Sequence, residues 1–286
     1  MRFLEHARGS LPLERCLVMG IVNRTPDSFY DGGRLDLQES VDHALRLVEE
    51  GADILDLGAV KAGPGRAVPP AEEERLLLPL VARLATATAV PLSVETTSAA
   101  VARRALDEGA AIVNDISGLS DEAMPEVVAR GGAALILVHH GGQLRGRPLH
   151  PQYDDVVEAV FSTWRSLAEK AAAAGVARES LVVDAALDFG KTTFHSLELV
   201  RRLPEQLELG LPVLVAASRK DVVGETLGLP PEERLEGSLA VAAIAAYLGA
   251  AIVRVHDVRE TVRTLRMTLA VAARTAPVRA RRGLWE

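Results

Sequence analysis

Residues 108–116, Glu108-Gly109-Ala110-Ala111-Ile112-Val113-Asn114-Asp115-Ile116, hold the pattern on which the fold turns. The segment before them, Ala99–Glu108, has the residue spacing of an amphipathic helix. Gly109 supplies the left-handed conformation that ends a helix, and Ile112–Ile116 then reads as a short strand finishing in polar residues. The same punctuation returns at Glu50-Gly51-Ala52 and at Leu248-Gly249-Ala250, each time between a helical segment and an apolar run. Strands are predicted at Leu17–Asn23, Ala52–Leu57, Pro91–Glu95, Ile112–Ile116, Ala134–His139, Leu181–Leu187, Pro212–Ala217 and Ile252–Val255. Each run is nearly continuous in Val, Ile, Leu and Ala, as parallel strands covered on both faces require. Helical spacing fills the intervals, for example at Glu39–Glu50, Ala71–Ala87 and Leu235–Leu248. Evenly spaced βα units with right-handed crossovers close most simply into a (β/α)8 TIM barrel. A doubly wound open sheet is the alternative, disfavoured by the even spacing and by the lack of a dinucleotide fingerprint.

Composition narrows the function. The 286 residues are 48% hydrophobic and 25% charged, enough to bury a large core. No stretch rich in Pro, Gly or Ser splits them, so residues 1–286 are expected to form a single domain with a short basic tail at 277–286. A formal charge of −7 argues against a general nucleic-acid binder, while leaving room for a local anion pocket. Cys16 is the only cysteine, which excludes an intrachain disulfide and any zinc site built on several cysteines. Met1–Pro12 carries charges throughout and no apolar run reaches membrane-spanning length, so a cytoplasmic protein is expected.

In a barrel of this kind, chemistry sits where each strand meets the following helix, and polar residues crowd into those places. The first strand ends in Asn23 and runs into a loop of function-capable groups through Gly33. Later strands end in Glu95, in Asn114-Asp115 and in His139-His140. The sixth carries Asp184, the seventh is followed by Ser218-Arg219-Lys220, and the eighth delivers Arg254 and His256. One such residue is readily satisfied by its neighbours; seven strands doing it together point to a ligand rich in donors and acceptors. Other features read more plainly. Trp164 and Phe161 suit helix packing. His139 and His140, adjacent on a strand, point to opposite faces and make a poor zinc site. Gly63-Pro64-Gly65 lacks the Lys and Ser/Thr spacing of a phosphate loop.

Residues 19–33, Met19-Gly20-Ile21-Val22-Asn23-Arg24-Thr25-Pro26-Asp27-Ser28-Phe29-Tyr30-Asp31-Gly32-Gly33, resemble the first signature of the dihydropteroate synthases. Val113-Asn114-Asp115-Ile116-Ser117-Gly118 is similar to that family too. So are Asp184 with Phe189-Gly190-Lys191-Thr192, Ala217-Ser218-Arg219-Lys220, and Val253-Arg254-Val255-His256-Asp257-Val258. The matches keep their order from residue 17 to residue 258. The resemblance implies a pterin-binding barrel and a transferase of folate biosynthesis, in which p-aminobenzoate displaces pyrophosphate from a hydroxymethyl-dihydropterin diphosphate. It also implies roles. Asp184 and Asn114 would read the pterin edge, Glu95 and Phe189 would line its pocket, and Lys220 would donate to the ring carbonyl and N5. Arg254 would lie on the ring with its fork on phosphate oxygens. Ser218 and His256 would serve the diphosphate end, and Asn23 would hold Mg²⁺, which needs few protein ligands when phosphates supply oxygens. Asp31, with Lys220 and Arg254, would be catalytic, facing the cationic pterin methylene. A homodimer, through the small-residue-rich helices Leu235–Leu248 and Val262–Ala273, is what the resemblance implies for assembly.

The sequence departs from the family's pattern around the second substrate. Where synthases carry Gly-Gly-Glu-Ser-Thr-Arg-Pro-Gly, this chain has Gly58-Ala59-Val60-Lys61-Ala62-Gly63-Pro64-Gly65, so the Thr-Arg pair is Ala62-Gly63. The usual Asp of the third strand is Glu95. The usual Asp-Pro-Gly-Ile-Gly-Phe is Asp184-Ala185-Ala186-Leu187-Asp188-Phe189: two glycines are gone, and Asp188 is expected to set a carboxylate near the anionic benzoate. The pattern looks like the divergent second paralogue of some high-GC actinobacteria, with synthase turnover weakened or lost. Two alternatives stand beside it: a non-catalytic or altered-specificity pterin-binding paralogue, and a relative of the methyltetrahydrofolate methyltransferases. The diphosphate residues Asn23, Arg254 and His256 argue against the second.

Overall fold

The computed structural model describes residues 3–24, 36–60, 68–141, 151–280 and 282. Eight parallel strands close into a barrel: β3 (Leu17–Asn23), β4 (Ile54–Gly58), β5 (Leu92–Glu95), β6 (Ile112–Asp115), β7 (Ala134–Val138), β8 (Leu181–Asp184), β9 (Val213–Val215) and β10 (Ile252–Val255). They pair in chain order, and β10 returns to β3 with Arg254 beside Met19. The barrel predicted from the apolar runs is therefore present. The helices are α1 (Leu37–Glu50), α2 (Pro70–Ala87), α3 (Ala99–Asp107), α4 (Met124–Gly131), α5 (Val156–Ala173), α6 (Thr193–Arg201), α7 (Leu203–Gln206), α8 (Asp221–Leu227), α9 (Leu235–Leu248) and α10 (Val258–Val271). Gly51, Gly109 and Gly249 have φ of 103°, 109° and 112°, the left-handed turn read from their positions.

Two periodicities build the interior. Val18, Leu55, Val113, Leu135, Val183 and Val253 face outward and join the apolar layer under the helices. Their neighbours Met19, Ile54, Ile112, Ile136, Val182, Leu214 and Ile252 form a second cluster inside the barrel. Side chains two residues apart on a strand share a face. Stepping two residues on from Ile54, Ile112, Val182 and Ile252 therefore reaches Asp56, Asn114, Asp184 and Arg254. The barrel is apolar toward the N-terminal ends of its strands and charged toward their C-terminal ends.

The N-terminal end carries an element that the sequence reading did not anticipate. β1 (Phe3–His6) and β2 (Gly9–Pro12) form an antiparallel hairpin, with His6 opposite Gly9. Leu4 is fully buried in the inner cluster with Leu17, Ile54, Ile112 and Ile252. Arg8 donates from Nη1 to the Gly109 carbonyl and from Nη2 to that of Ala85, holding the hairpin to the turns around it. A charged four-residue strand with one apolar anchor leaves little period-2 signal. Among the described residues no helix is long and apolar enough to cross a membrane.

Candidate active site at the C-terminal ends of the strands

Asp56 is the centre of the site, and its side chain has 0% exposure. Its Oδ1 accepts from Ser93 Oγ at 2.6 Å. Its Oδ2 accepts from Arg254 Nε at 2.6 Å and from Asn114 Nδ2 at 3.2 Å. The barrel register makes this possible, because Asp56 pairs with Ser93 on β5, and Glu95 pairs with Asn114 on β6. Glu95 Oε2 takes Arg254 Nη2 at 2.6 Å. Two nitrogens of the guanidinium are thus engaged by carboxylates from two different strands. Sequence reasoning gave Arg254's fork to phosphate oxygens; in the structure that fork is held by Asp56 and Glu95, and Nη1 is the nitrogen not committed to them. The longer reach of Glu95 is what spans to Arg254. Asp56 and Ser93 were missed because each sits inside an apolar run. The available signal was that a lone Asp in a strand covered on both faces needs a partner.

Electrostatics follow from this packing. Burial pushes the Glu95 carboxyl up to about 7, against the pull of Arg254, and the neighbouring Asp56 and Asp184 add to the rise. Burial also opposes charge on Arg254, but Asp56 and Glu95 hold its pKa above the ordinary arginine value. Asp184 is raised by burial, with Lys220 opposing the shift, and Lys220 is lowered by burial, with Asp184 opposing it. Asp56, Glu95 and Asp184 share the buried end of the barrel with Arg254 and Lys220, and burial favours the protonated form of Glu95 more than it would in water.

The other expected residues converge on the same end. Asp184 Oδ1 accepts from the Ala186 amide at 2.7 Å, while its carbonyl takes Trp164 Nε1 at 3.2 Å. Trp164 is fully buried, so its packing role holds and adds a hydrogen bond under the site. Lys220 Nζ donates to the Leu187 carbonyl at 3.1 Å and lies 5.1 Å from the centroid of the Phe189 ring. Ser218 Oγ is 3.0 Å from His256 Nδ1, and the His256 amide donates to the same oxygen. Burial, then Arg254, pushes His256 down to about 4, so its ring is neutral at neutral pH. Lys191 donates to the carbonyls of His139, Ala186 and Phe189, a buried brace between two loops. His139 and His140 lie beyond the end of β7, so strand alternation does not apply to them. Asp31, Ala62 and Gly63 fall outside the described residues.

Asp188 Oδ1 accepts from Ser196 Oγ at 3.1 Å and its Oδ2 from the Val222 amide at 3.0 Å. Both donors are neutral, so they fix the carboxylate in place and leave its charge, which acts on Lys220 and Lys191.

Asn114 Oδ1 is buried and has no hydrogen-bond partner. An orphaned acceptor inside a charged cavity is a place for a ligand's N–H. Gly58 supplies a second opening. A Cβ there would stand 3.3 Å from Asn23 Oδ1 and 3.9 Å from Glu95 Oε1, so two hard oxygens flank a space that glycine keeps free. Such a donor set suits Mg²⁺, which takes one or two protein oxygens and completes its shell with phosphate and water. Among the described residues no group of three or more His, Cys, Asp or Glu is placed to hold a metal by itself.

The pterin binding enzyme family matches residues 19–256. The chain belongs to that family. It is 48% identical over 278 residues to a Mycobacterium tuberculosis protein named inactive dihydropteroate synthase 2, covering 95% of this chain and 87% of the relative. It is 41% identical over 260 residues to the dihydropteroate synthase of Escherichia coli K12, covering 90% and 92%. The Yersinia pestis dihydropteroate synthase, solved as a sulfonamide drug complex, superposes with a TM-score of 0.91 at 38% identity, covering 96% of this chain and all of that one. Within the pterin binding enzymes, the chain is therefore a dihydropteroate synthase-type barrel.

Proposed function

We propose that the chain binds a hydroxymethyl-dihydropterin diphosphate, and that its condensation with p-aminobenzoate is weakened or lost. The observation that carries the first half is Asn114 Oδ1, a buried acceptor without a partner beside Asp56 and among the charges of Asp184, Lys220 and Arg254. A pterin edge brings an amino group and a ring N–H, which an amide oxygen and the Asp184 carboxylate accept together. Lys220 donates to the ring carbonyl and N5, with Phe189 and Glu95 bounding the ring. Arg254 Nη1, Ser218 and neutral His256 serve the diphosphate end. Asn23 holds Mg²⁺, which would neutralise charge on the departing pyrophosphate. Asp31 is the catalytic loop carboxylate of this reading.

The second half rests on Ala62-Gly63 in place of the family's Thr-Arg pair. One lost charge-assisted contact to a diphosphate is worth roughly 1.5–3 kcal/mol, tenfold or more in affinity. The 48% identity to a relative named inactive leans the same way. Residues 1–286 then act as one cytoplasmic pterin-binding domain with a basic tail at 277–286. It pairs as a homodimer through α9 and α10, where Ile244, Tyr247, Met267 and Val271 are exposed.

The test is a calorimetric titration with the pterin diphosphate, with and without p-aminobenzoate, beside an assay of pteroate formation. The diphosphate should bind, and pteroate should form far more slowly than with a conventional synthase. Ala62→Thr with Gly63→Arg should raise that rate. A parent as fast as a conventional synthase, with no gain from restoration, would make the chain an ordinary dihydropteroate synthase.

A further inference from the structure

Three consecutive residues after β8 make three contacts with two residues at the start of α8, Lys220 just before it and Val222 within it. The Leu187 carbonyl takes Lys220 Nζ at 3.1 Å. Asp188 Oδ2 takes the Val222 amide at 3.0 Å. The Phe189 ring lies 5.1 Å from the Lys220 ammonium. Asp188 is itself fixed from α6, because its amide donates to Ser196 Oγ while Ser196 Oγ donates back to Oδ1, both at 3.1 Å. Ser196 is fully buried. The Asp188 backbone has a φ of 74°, in the left-handed region that favours glycine and tolerates Asp and Asn. The chain has kept the backbone turn of a glycine and used the side chain placed there to tie two helices together.

We infer that Asp188 is a positioning residue that fixes Lys220 toward the cavity from outside it. Lys220 is the first residue of the gripped segment, and its ammonium has four single bonds along which to wander. Without the tie at Val222, the polar hold of the β8 loop on the segment falls, among the described residues, to the Leu187 carbonyl and the Phe189 ring, beside apolar packing of Val222. With it, Lys220 is set before a ligand arrives, so less ordering is left to the binding step. The inference rests on the reading of Lys220 as a pterin ligand, but the tie can be tested apart from it.

Asp188→Gly keeps the left-handed backbone and removes the tie. Asp188→Asn keeps both: its Oδ1 can accept from Val222 while its Nδ2 donates to Ser196 Oγ. Three readouts separate them: amide hydrogen exchange at Val222, the acylation rate of Lys220 by a small amine-reactive reagent, and calorimetric affinity for hydroxymethylpterin. The glycine variant should exchange at Val222 about tenfold faster, the scale of a lost helix cap. Its Lys220 should acylate severalfold faster, and its pterin affinity should fall about tenfold, as for one lost hydrogen bond to a charged group. The asparagine variant keeps both contacts, the one to Ser196 reversed, and should stay within about twofold of the parent in Val222 exchange and pterin affinity. Its Lys220 loses the same charge as in the glycine variant but not the tie, and should acylate more slowly than there. If Asp188→Gly does not fold, Ser196→Ala loosens Asp188 without touching its backbone and should move the same readouts. Faster exchange at Val222 with unchanged Lys220 acylation and pterin affinity would make Asp188 a helix cap only and overturn the inference. An asparagine variant as impaired as the glycine one would also overturn it. A parent that binds no pterin would refute the proposed function, and Val222 exchange with Lys220 acylation would then decide the inference by themselves.

Discussion

Asp56 offers the sharpest perturbation, because it takes three donors from three strands and its side chain has no exposed surface. In Asp56→Asn the amide oxygen can stay on Arg254 Nε and Asn114 Nδ2, while the new NH₂ faces Ser93 Oγ, which can turn to accept. The shape survives and the charge does not. A hydrogen bond to a charged partner is worth about 1.5–3 kcal/mol against about 1 for a neutral one, so the loss should be ~1–2 kcal/mol. Asp56→Ala leaves Arg254 with one carboxylate in a buried site and removes the acceptor for Ser93 and Asn114. Breaking a buried pair in this way costs ~3–5 kcal/mol. For a chain of this size that is roughly a 10 °C fall in melting temperature. Both variants should also lower the pKa of Glu95 from about 7, because Asp56 is one of the charges raising it. Denaturant unfolding and a carboxyl NMR titration of Glu95 measure the two effects. An alanine variant within about 0.5 kcal/mol of the parent, with Glu95 titrating as before, would refute the account of the site as a coupled charge set.

Glu95→Gln tests the same set by pH. With a folded pKa of about 7 against an ordinary glutamate value of 4.5, Glu95 holds an extra proton in the folded state between those values. Its contribution is complete below the lower value and lost as pH rises through the upper one, so the glutamine variant should flatten the fall in stability from pH 5 to 8. Asp184→Asn should abolish hydroxymethylpterin binding and also cost some stability, since the amide still accepts from Ala186 while buried Lys220 loses its opposing charge; surviving affinity would displace Asp184 from the pterin edge. Arg254→Lys should weaken bare pterin, because one ammonium cannot bridge Asp56 and Glu95, and pterin diphosphate further, because Nη1 is lost as well. A loss confined to the diphosphate would show that the bridge does not support the ring.

The barrel was legible because parallel strands buried on both faces leave unbroken apolar runs, and Gly51, Gly109 and Gly249 mark where helices give way to them. The predicted sixth run overshot: it extends to Leu187, whereas β8 ends at Asp184. The chain turns there because Ala186 and Asp188 adopt φ of 47° and 74°, which non-glycine residues rarely do. Nothing local announces that choice. Asn114, Asp184, Lys220 and Arg254 were visible as polar residues at strand ends. Asp56 was hidden two positions past Ile54, where its neighbours Leu55 and Leu57 made the run look uniformly apolar. Finding it needs the register of β4 against β5, which pairs it with Ser93 and is a property of the closed barrel. The hairpin at residues 3–12 was hidden for the opposite reason, since only Leu4 enters the core.

The placement of this chain's departures follows from the same coupling. Arg254 answers to Asp56 and Glu95, Asp56 also holds Ser93 and Asn114, and Lys220 and Asp184 stabilise one another's charge across the cavity. A change at any one of these leaves a buried charge or donor unpaired, at several kcal/mol, unless its partners change with it. Glu95, in place of the family's Asp, keeps a carboxyl and still reaches Arg254. Loop positions carry no such debt. Asp188 replaced a glycine and found two donors at hand, in Ser196 and the Val222 amide, so a new carboxylate entered without a new buried charge left open. Divergence in this chain is thus steered away from the coupled charges of the barrel interior and into its loops. A paralogue can lose or alter its second reactant while its interior remains built for the first.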